Sequence, residues 1–177
     1  MKTLFENKFI STFETDEGYV FSHDSRCNGQ IVAILPFIPD PLQFLIRFEV
    51  TPCHQNGEIY NSSITGGVEN DDVEETAIQE LEEEAGLIAE KFELINIGII
   101  YPSKSQDTVI HLFGLDITGK EIGEAMGDGS LFETLAYCKL SSNIDDIISS
   151  KSPLNHVMLL RLMRLGKIKP EVICASI

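Results

Sequence analysis

Three carboxylates, Glu80, Glu83 and Glu84, stand at i, i+3 and i+4 within TGGVENDDVEETAIQELEEEAGL, the stretch from Thr65 to Leu87. On a helix turning about 100° per residue they fall within one arc of roughly 100°. Nine of the sixteen residues from Glu69 to Glu84 are Asp or Glu, and none is Lys or Arg. Like charges at this spacing repel by roughly a few tenths of a kcal/mol per pair in water, and by more beside a buried face. Protons or a bound cation must relieve them. Oxygen-only ligands suit Mg²⁺, Mn²⁺ or Ca²⁺ better than zinc. Gly66-Gly67 lies just ahead, and paired glycines let a backbone carbonyl approach such a ligand closely. The plain alternative is a solvated acidic face.

The elements that must position these residues can be read around them. The helix is predicted from about Asp72 to Ala85, with Asp72 as N-cap, Glu75 three residues on, and Gly86 at the left-handed C-terminal position. Val73, Ala77 and Leu81 supply its buried stripe, while Glu75 and Glu82 point to solvent. Upstream, Lys8–Phe13 and Gly18–Phe21 flank an acidic turn as an opening hairpin. Gln30–Phe37 (QIVAILPF) and Gln43–Val50 (QFLIRFEV) read as neighbouring strands, the first largely buried. Thr51–Ser62 reads as a loop and Ser63–Val68 as a short strand ending at the glycines. Lys91–Ile100, Thr108–Ile117 and Thr134–Leu140 are three further strands. Thr118–Ser130 is a polar, Gly-rich loop, and Ser152-Pro153 opens a helix that stops near Gly166. Alternating strands and helices predict an α/β layered domain.

The whole chain narrows the partners. Its 177 residues suit one domain with a substantial core. With 28 acidic and 13 basic residues the formal charge is −15, a field that repels nucleic-acid polymers. A small phosphorylated ligand fits if a metal carries the positive charge. No apolar run approaches the ~20 residues of a membrane span, so no membrane partner is expected. Residues 1–15 hold Lys2, Glu6, Lys8 and Glu14 and do not resemble a secretory signal. Cys27, Cys53, Cys138 and Cys174 are scattered and form no CxxC pair, which suits a reducing cytoplasm. His23, His54, His111 and His156 show no ligand spacing.

The acidic stretch resembles the Nudix box, G-x5-E-x7-R-E-U-x-E-E-x-G-U with U aliphatic. Glu80, Leu81, Glu83, Glu84, Gly86 and Leu87 fill their positions. Asp71 stands for the first glutamate, Gln79 replaces the arginine, and Gly66 lies one residue closer to the helix than the pattern asks. The resemblance covers residues 66–87 directly. It implies a single Nudix-type α/β/α sandwich over residues 1–177 with a mixed β-sheet. Residues 1–25 would form an N-terminal β-hairpin extension and residues 152–166 the C-terminal helix.

The resemblance further implies Mg²⁺- or Mn²⁺-dependent hydrolysis of a nucleoside diphosphate derivative. Glu80 and Glu84 would be the principal metal ligands, Glu83 a further ligand or the residue that orients water, and the carbonyl of Gly66 or Gly67 a weaker ligand. Pro102-Ser103, some fifteen residues past the box, resembles a loop of the ADP-ribose and nucleotide-sugar pyrophosphatase branch, whose members commonly form homodimers through such hairpins. A plain turn accounts for Pro102 equally well. Arg47 and Lys104 are candidate phosphate contacts, with ordinary surface charge as the alternative. In that branch a catalytic glutamate often comes from a later loop, where GDGSLFE offers Asp128 and Glu133; a solvated glycine turn is the simpler account of Asp128. Three other readings stand beside this one: a hydrolase of nucleoside triphosphates or dinucleoside polyphosphates, a nucleotide-binding domain that has lost catalysis (suggested by Gln79 and the short loop), and a Ca²⁺-binding structural module.

Overall fold

The computed structural model describes residues 1–51, 53, 57–126 and 135–170. Its centre is β4 (Gln30–Pro39), a ten-residue strand buried from Val32 to Phe37. A strand buried on both faces must be apolar at every position, and QIVAILPF is nearly so. Val32 and Ile34 join one core cluster, while Ala33, Leu35 and Phe37 join another on the opposite face. The first cluster takes in Ala77, Leu81 and Ala85 of α1 (Val73–Ala85). The second takes in Met158, Leu159 and Leu162 of α3 (Pro153–Arg164). The sheet is therefore sandwiched between helices, as expected.

Among the described residues seven strands build that sheet, in the order β10 (Tyr137–Ser141), β5 (Leu42–Val50), β4, β9 (Val109–Asp116) and β8 (Leu94–Ile100). Two short strands complete it: β6 (Ile59–Ser62) on β5 and β7 (Ile64–Gly67) on β4. The β4–β9 pairing is parallel and the others are antiparallel, so the sheet is mixed. One feature positions the site. β5 pairs with β4 only at Phe37–Pro39, and β7 takes its place at Ile31–Ile34. Gly66 and Gly67 thereby lie opposite Val32 and Ile31, beside α1.

The expected elements are present, with four corrections. The N-terminal hairpin is a three-stranded antiparallel sheet, because β1 (Lys2–Glu6) pairs with β2 (Ile10–Glu14) and that with β3 (Val20–Asp24). Lys2–Glu6 is short, exposed throughout and charged at both ends, so it carries no core-facing alternation. Residues 59–62, expected in a loop, form edge strand β6, whose pairing with β5 outweighs its polar IYNS sequence. The stretch from Lys91 begins as a 3₁₀ turn over Lys91–Glu93 before β8. A one-turn helix, α2 (Asp145–Ile148), was not anticipated. Among the described residues no helix is long and apolar enough to cross a membrane.

Candidate functional site

Helix α1 is held at both ends. The Asp72 carboxylate accepts the N–H of Glu75 at 3.0 Å, and Gly86 ends the helix at φ 61°. Lys91 lies 2.7 Å from Asp72 and 3.0 Å from Glu75, so the first acidic turn finds its counter-charge in the segment after the helix. Val73, Ala77 and Leu81 face the core, which leaves Glu80 and Glu84 at its margin.

These two carboxylates enter a cleft of about 470 Å³, walled by Thr65, Gly66 and Gly67 on β7, by Glu69, and by Asp24, Arg26 and Cys27 from the far side. A Cβ placed on Gly66 would overlap the Glu80 carboxyl group, so glycine is what lets that side chain lie there. One on Gly67 would come within 2.9 Å of the Cys27 Cβ. The donor set is dominated by oxygen, which fits a hard divalent cation. Among the described residues no three His, Cys, Asp or Glu side chains are gathered closely enough to hold a metal in this conformation. Glu69 lines the cleft although sequence reasoning passed over it.

Glu83 does not line this cleft; its carboxylate accepts the amide of Gln79 at 2.8 Å. The trio seen as one arc in the sequence thus divides, with two residues turned to the cleft and one outward. Glu84 is well enclosed, with 11% of its side chain exposed. Burial is the main force pushing its carboxyl up to about 8, and the Glu80 charge adds to it. The Arg47 charge and a 3.3 Å hydrogen bond from the Thr65 N–H work in the opposite direction without cancelling burial. The Cys138 thiol, pushed up to about 12 chiefly by burial, stays neutral and donates to the Glu84 carbonyl.

Arg47 is not a surface charge. It is buried on β5, with Nη2 3.1 Å from Glu84 and Nε 3.0 Å from Glu49. Burial alone would lower its pKa, but the two carboxylates raise it overall. The other sequence candidates lie elsewhere. Pro102 lines a second cleft of about 540 Å³, between the N-terminal sheet and the Ile31 and Ile110 region of the main sheet. The Ser103 hydroxyl accepts the N–H of Ser105 at 3.1 Å in a local turn. The Lys104 carbonyl accepts the Tyr19 hydroxyl at 2.5 Å, while its side chain lines neither cleft. Asp128 and Glu133 lie outside the described residues.

Arg26 was missed. It lines both clefts, held by Asp24 through Nε at 3.0 Å and Nη2 at 2.5 Å. It sits in the turn between β3 and β4, closed by the Gly29 N–H to the Asp24 carbonyl at 3.0 Å, which carries it to the start of β4 beside β7. The sequence offers no signal for that placement beyond the Asp-x-Arg spacing.

No family model matches this sequence, and no curated protein matches it either. Among solved structures, the chain is similar to one described as an ADP compounds hydrolase. The TM-score is 0.67 at 15% identity, over 94% of this chain and 91% of that one. The likeness shows a shared fold over nearly the whole length of both chains.

Proposed function

We propose that this protein is a Mg²⁺- or Mn²⁺-dependent hydrolase that splits the pyrophosphate linkage of a nucleoside diphosphate derivative, of the ADP-ribose or nucleotide-sugar kind. The observation that carries the reading is the Glu80 carboxylate lying in space that only glycine at 66 leaves open, beside Glu84 in an acidic cleft. A solvated acidic face would require no such space. The fold shared with an ADP compounds hydrolase supports the nucleotide side of the proposal.

Glu80 and Glu84 would hold the cation, with Glu69 beside them and the Gly66 carbonyl as a further oxygen. The cation would neutralise charge building on the pyrophosphate oxygens and help generate a nucleophile near neutral pH. The chain's own part is to hold those carboxylates, present Arg26 to the phosphate side, and remove a proton from the attacking water. Water oxygen bonds to one phosphorus, the bridging P–O bond breaks, and its electron pair leaves with the second phosphate. A carboxylate committed to a cation is a poor proton acceptor, so the base is a different group. We assign it to Glu133, with Glu83 as the competing residue. Glu133→Gln is expected to lower kcat by ~10²-fold or more while leaving Mn²⁺ affinity unchanged. Parental kcat in that variant would eliminate Glu133 as the base.

Release of the nucleoside monophosphate from ADP-ribose and nucleotide sugars in the presence of Mg²⁺ tests the function, with nucleoside triphosphates and dinucleoside polyphosphates in the same panel. The 3.1 Å contact between Arg47 and Glu84, which occupies one side of a candidate ligand, favours a second reading as a nucleotide-binding domain without turnover. Nucleotide binding with no product from any substrate would establish that reading instead.

A further inference from the structure

Helix α1 contains no Lys or Arg, so any counter-charge for Glu84 must come from another element. Period-two alternation along β5 supplies one. Phe44, Ile46 and Phe48 join the core on the α3 side, while Leu45 joins the core on the α1 side. Arg47 and Glu49 share the parity of Leu45 and therefore face α1. The guanidinium spans two carboxylates, Glu84 at 3.1 Å and Glu49 at 3.0 Å, and Arg47 is only 5% exposed. Its backbone is fixed from both sides, opposite Cys138 on β10 and Ser62 on β6. A cation so buried cannot swing away to solvent, and its planar fork imposes direction as well as charge.

Gln79 cannot share the task. Its amide is neutral and is bonded to Glu83, which does not line the cleft. Among the described residues, Glu84 meets Arg47 at Oε1 and the Thr65 N–H at Oε2. A carboxylate has about four lone-pair sites, so both oxygens keep acceptor capacity toward the cleft. The two guanidinium groups, of Arg47 and Arg26, still leave the cleft acidic, since Asp24, Glu69, Glu80 and Glu84 line it.

We propose that Arg47 is a positioning residue for the cation site: from β5 it holds the Glu84 carboxylate in the orientation that lets it accept a divalent cation, a task no residue of α1 performs. The assignment rests on the proposed cation-binding role of Glu84. Titration of Mn²⁺ into the metal-stripped full chain tests it. Parental protein is expected to bind, Arg47→Gln to bind at least ~10-fold more weakly, and Arg47→Lys, which keeps the charge but loses the fork, to fall between them. A purely structural Arg47 would lower the melting temperature and leave the Kd of the folded variant unchanged. Should Arg47→Gln fail to fold, Arg47→Lys decides alone, with several-fold weaker binding expected. Parental or tighter affinity in either folded variant overturns the proposal, tighter binding meaning that Arg47 competes with the cation. Failure of the parental protein to bind Mn²⁺ overturns the cation site itself, a result distinct from failure of the brace.

Discussion

Glu84→Gln is expected to lower turnover by ~10³-fold, weaken Mn²⁺ binding, and stabilise the metal-free protein at alkaline pH. The kinetic figure follows from losing one principal ligand of a cation that contributes several kcal/mol to the transition state, at about 1.4 kcal/mol per tenfold in rate. The stability effect follows from burial. Because the folded-state pKa of Glu84 is raised from 4.5 to about 8, the folded protein holds this proton more tightly than the unfolded chain does. Its protonated form is accommodated at no ionisation cost below pH 4.5, and stability is lost as pH rises from there to 8. The slope is on the order of 1.4 kcal/mol per pH unit within that window. Glutamine imitates the protonated acid and does not titrate. In EDTA the two proteins should therefore melt at similar temperatures near the acid end of the window, with the variant higher at its alkaline end. Mg²⁺ should raise the parental melting temperature more at alkaline than at acid pH, because it relieves the same charge. Near-parental turnover in Glu84→Gln would remove Glu84 from the site. A melting difference that does not change with pH would mean that the carboxylate is not held neutral.

The parts of this site that were legible in the sequence are those whose cause is local. Helix α1 announces itself through Asp72, Glu75 and Gly86, and its apolar stripe sets which glutamates border the core. The buried run of β4 needs only its own composition to be read as a central strand. What escaped depends on tertiary approach. Glu83 and Glu84 are adjacent in the same arc, yet one bonds along the helix to Gln79 and the other turns to Arg47 on a different element. Arg47 did leave a trace, a charged residue on the inward-facing parity of an otherwise apolar strand, where a cation survives only if paired. Arg26 left almost none, because it faces the cleft from the turn between β3 and β4, whose place against β7 is set by the sheet pairing and not by its own spacing. The glycines were noticed for a carbonyl; the finding is that the missing side chain at 66 makes room for Glu80.

That finding predicts the second large effect. Gly66→Ala places a methyl group where the Glu80 carboxyl lies, and something must move. The backbone is poorly placed to yield, since Gly66 pairs with Val32 at the centre of the sheet. Glu80 must therefore leave. The group displaced is the far end of a flexible side chain, so the loss of stability should be small and the variant should still fold. Its Mn²⁺ affinity should fall at least ~10-fold and its turnover ~10²-fold, as binding free energy and positioning at the reacting centre are lost together. Gly67→Ala is the matched control. Its new methyl meets the Cys27 Cβ at 2.9 Å, so it too is overpacked, but the residue displaced is a wall of the cleft. Cation affinity falling much further in Gly66→Ala than in Gly67→Ala, although Gly67→Ala loses at least as much stability, would tie that loss to Glu80. A folded Gly66→Ala protein with parental Mn²⁺ affinity would show that the place of Glu80 against β7 has no part in binding, and the cation site would have to be sought elsewhere.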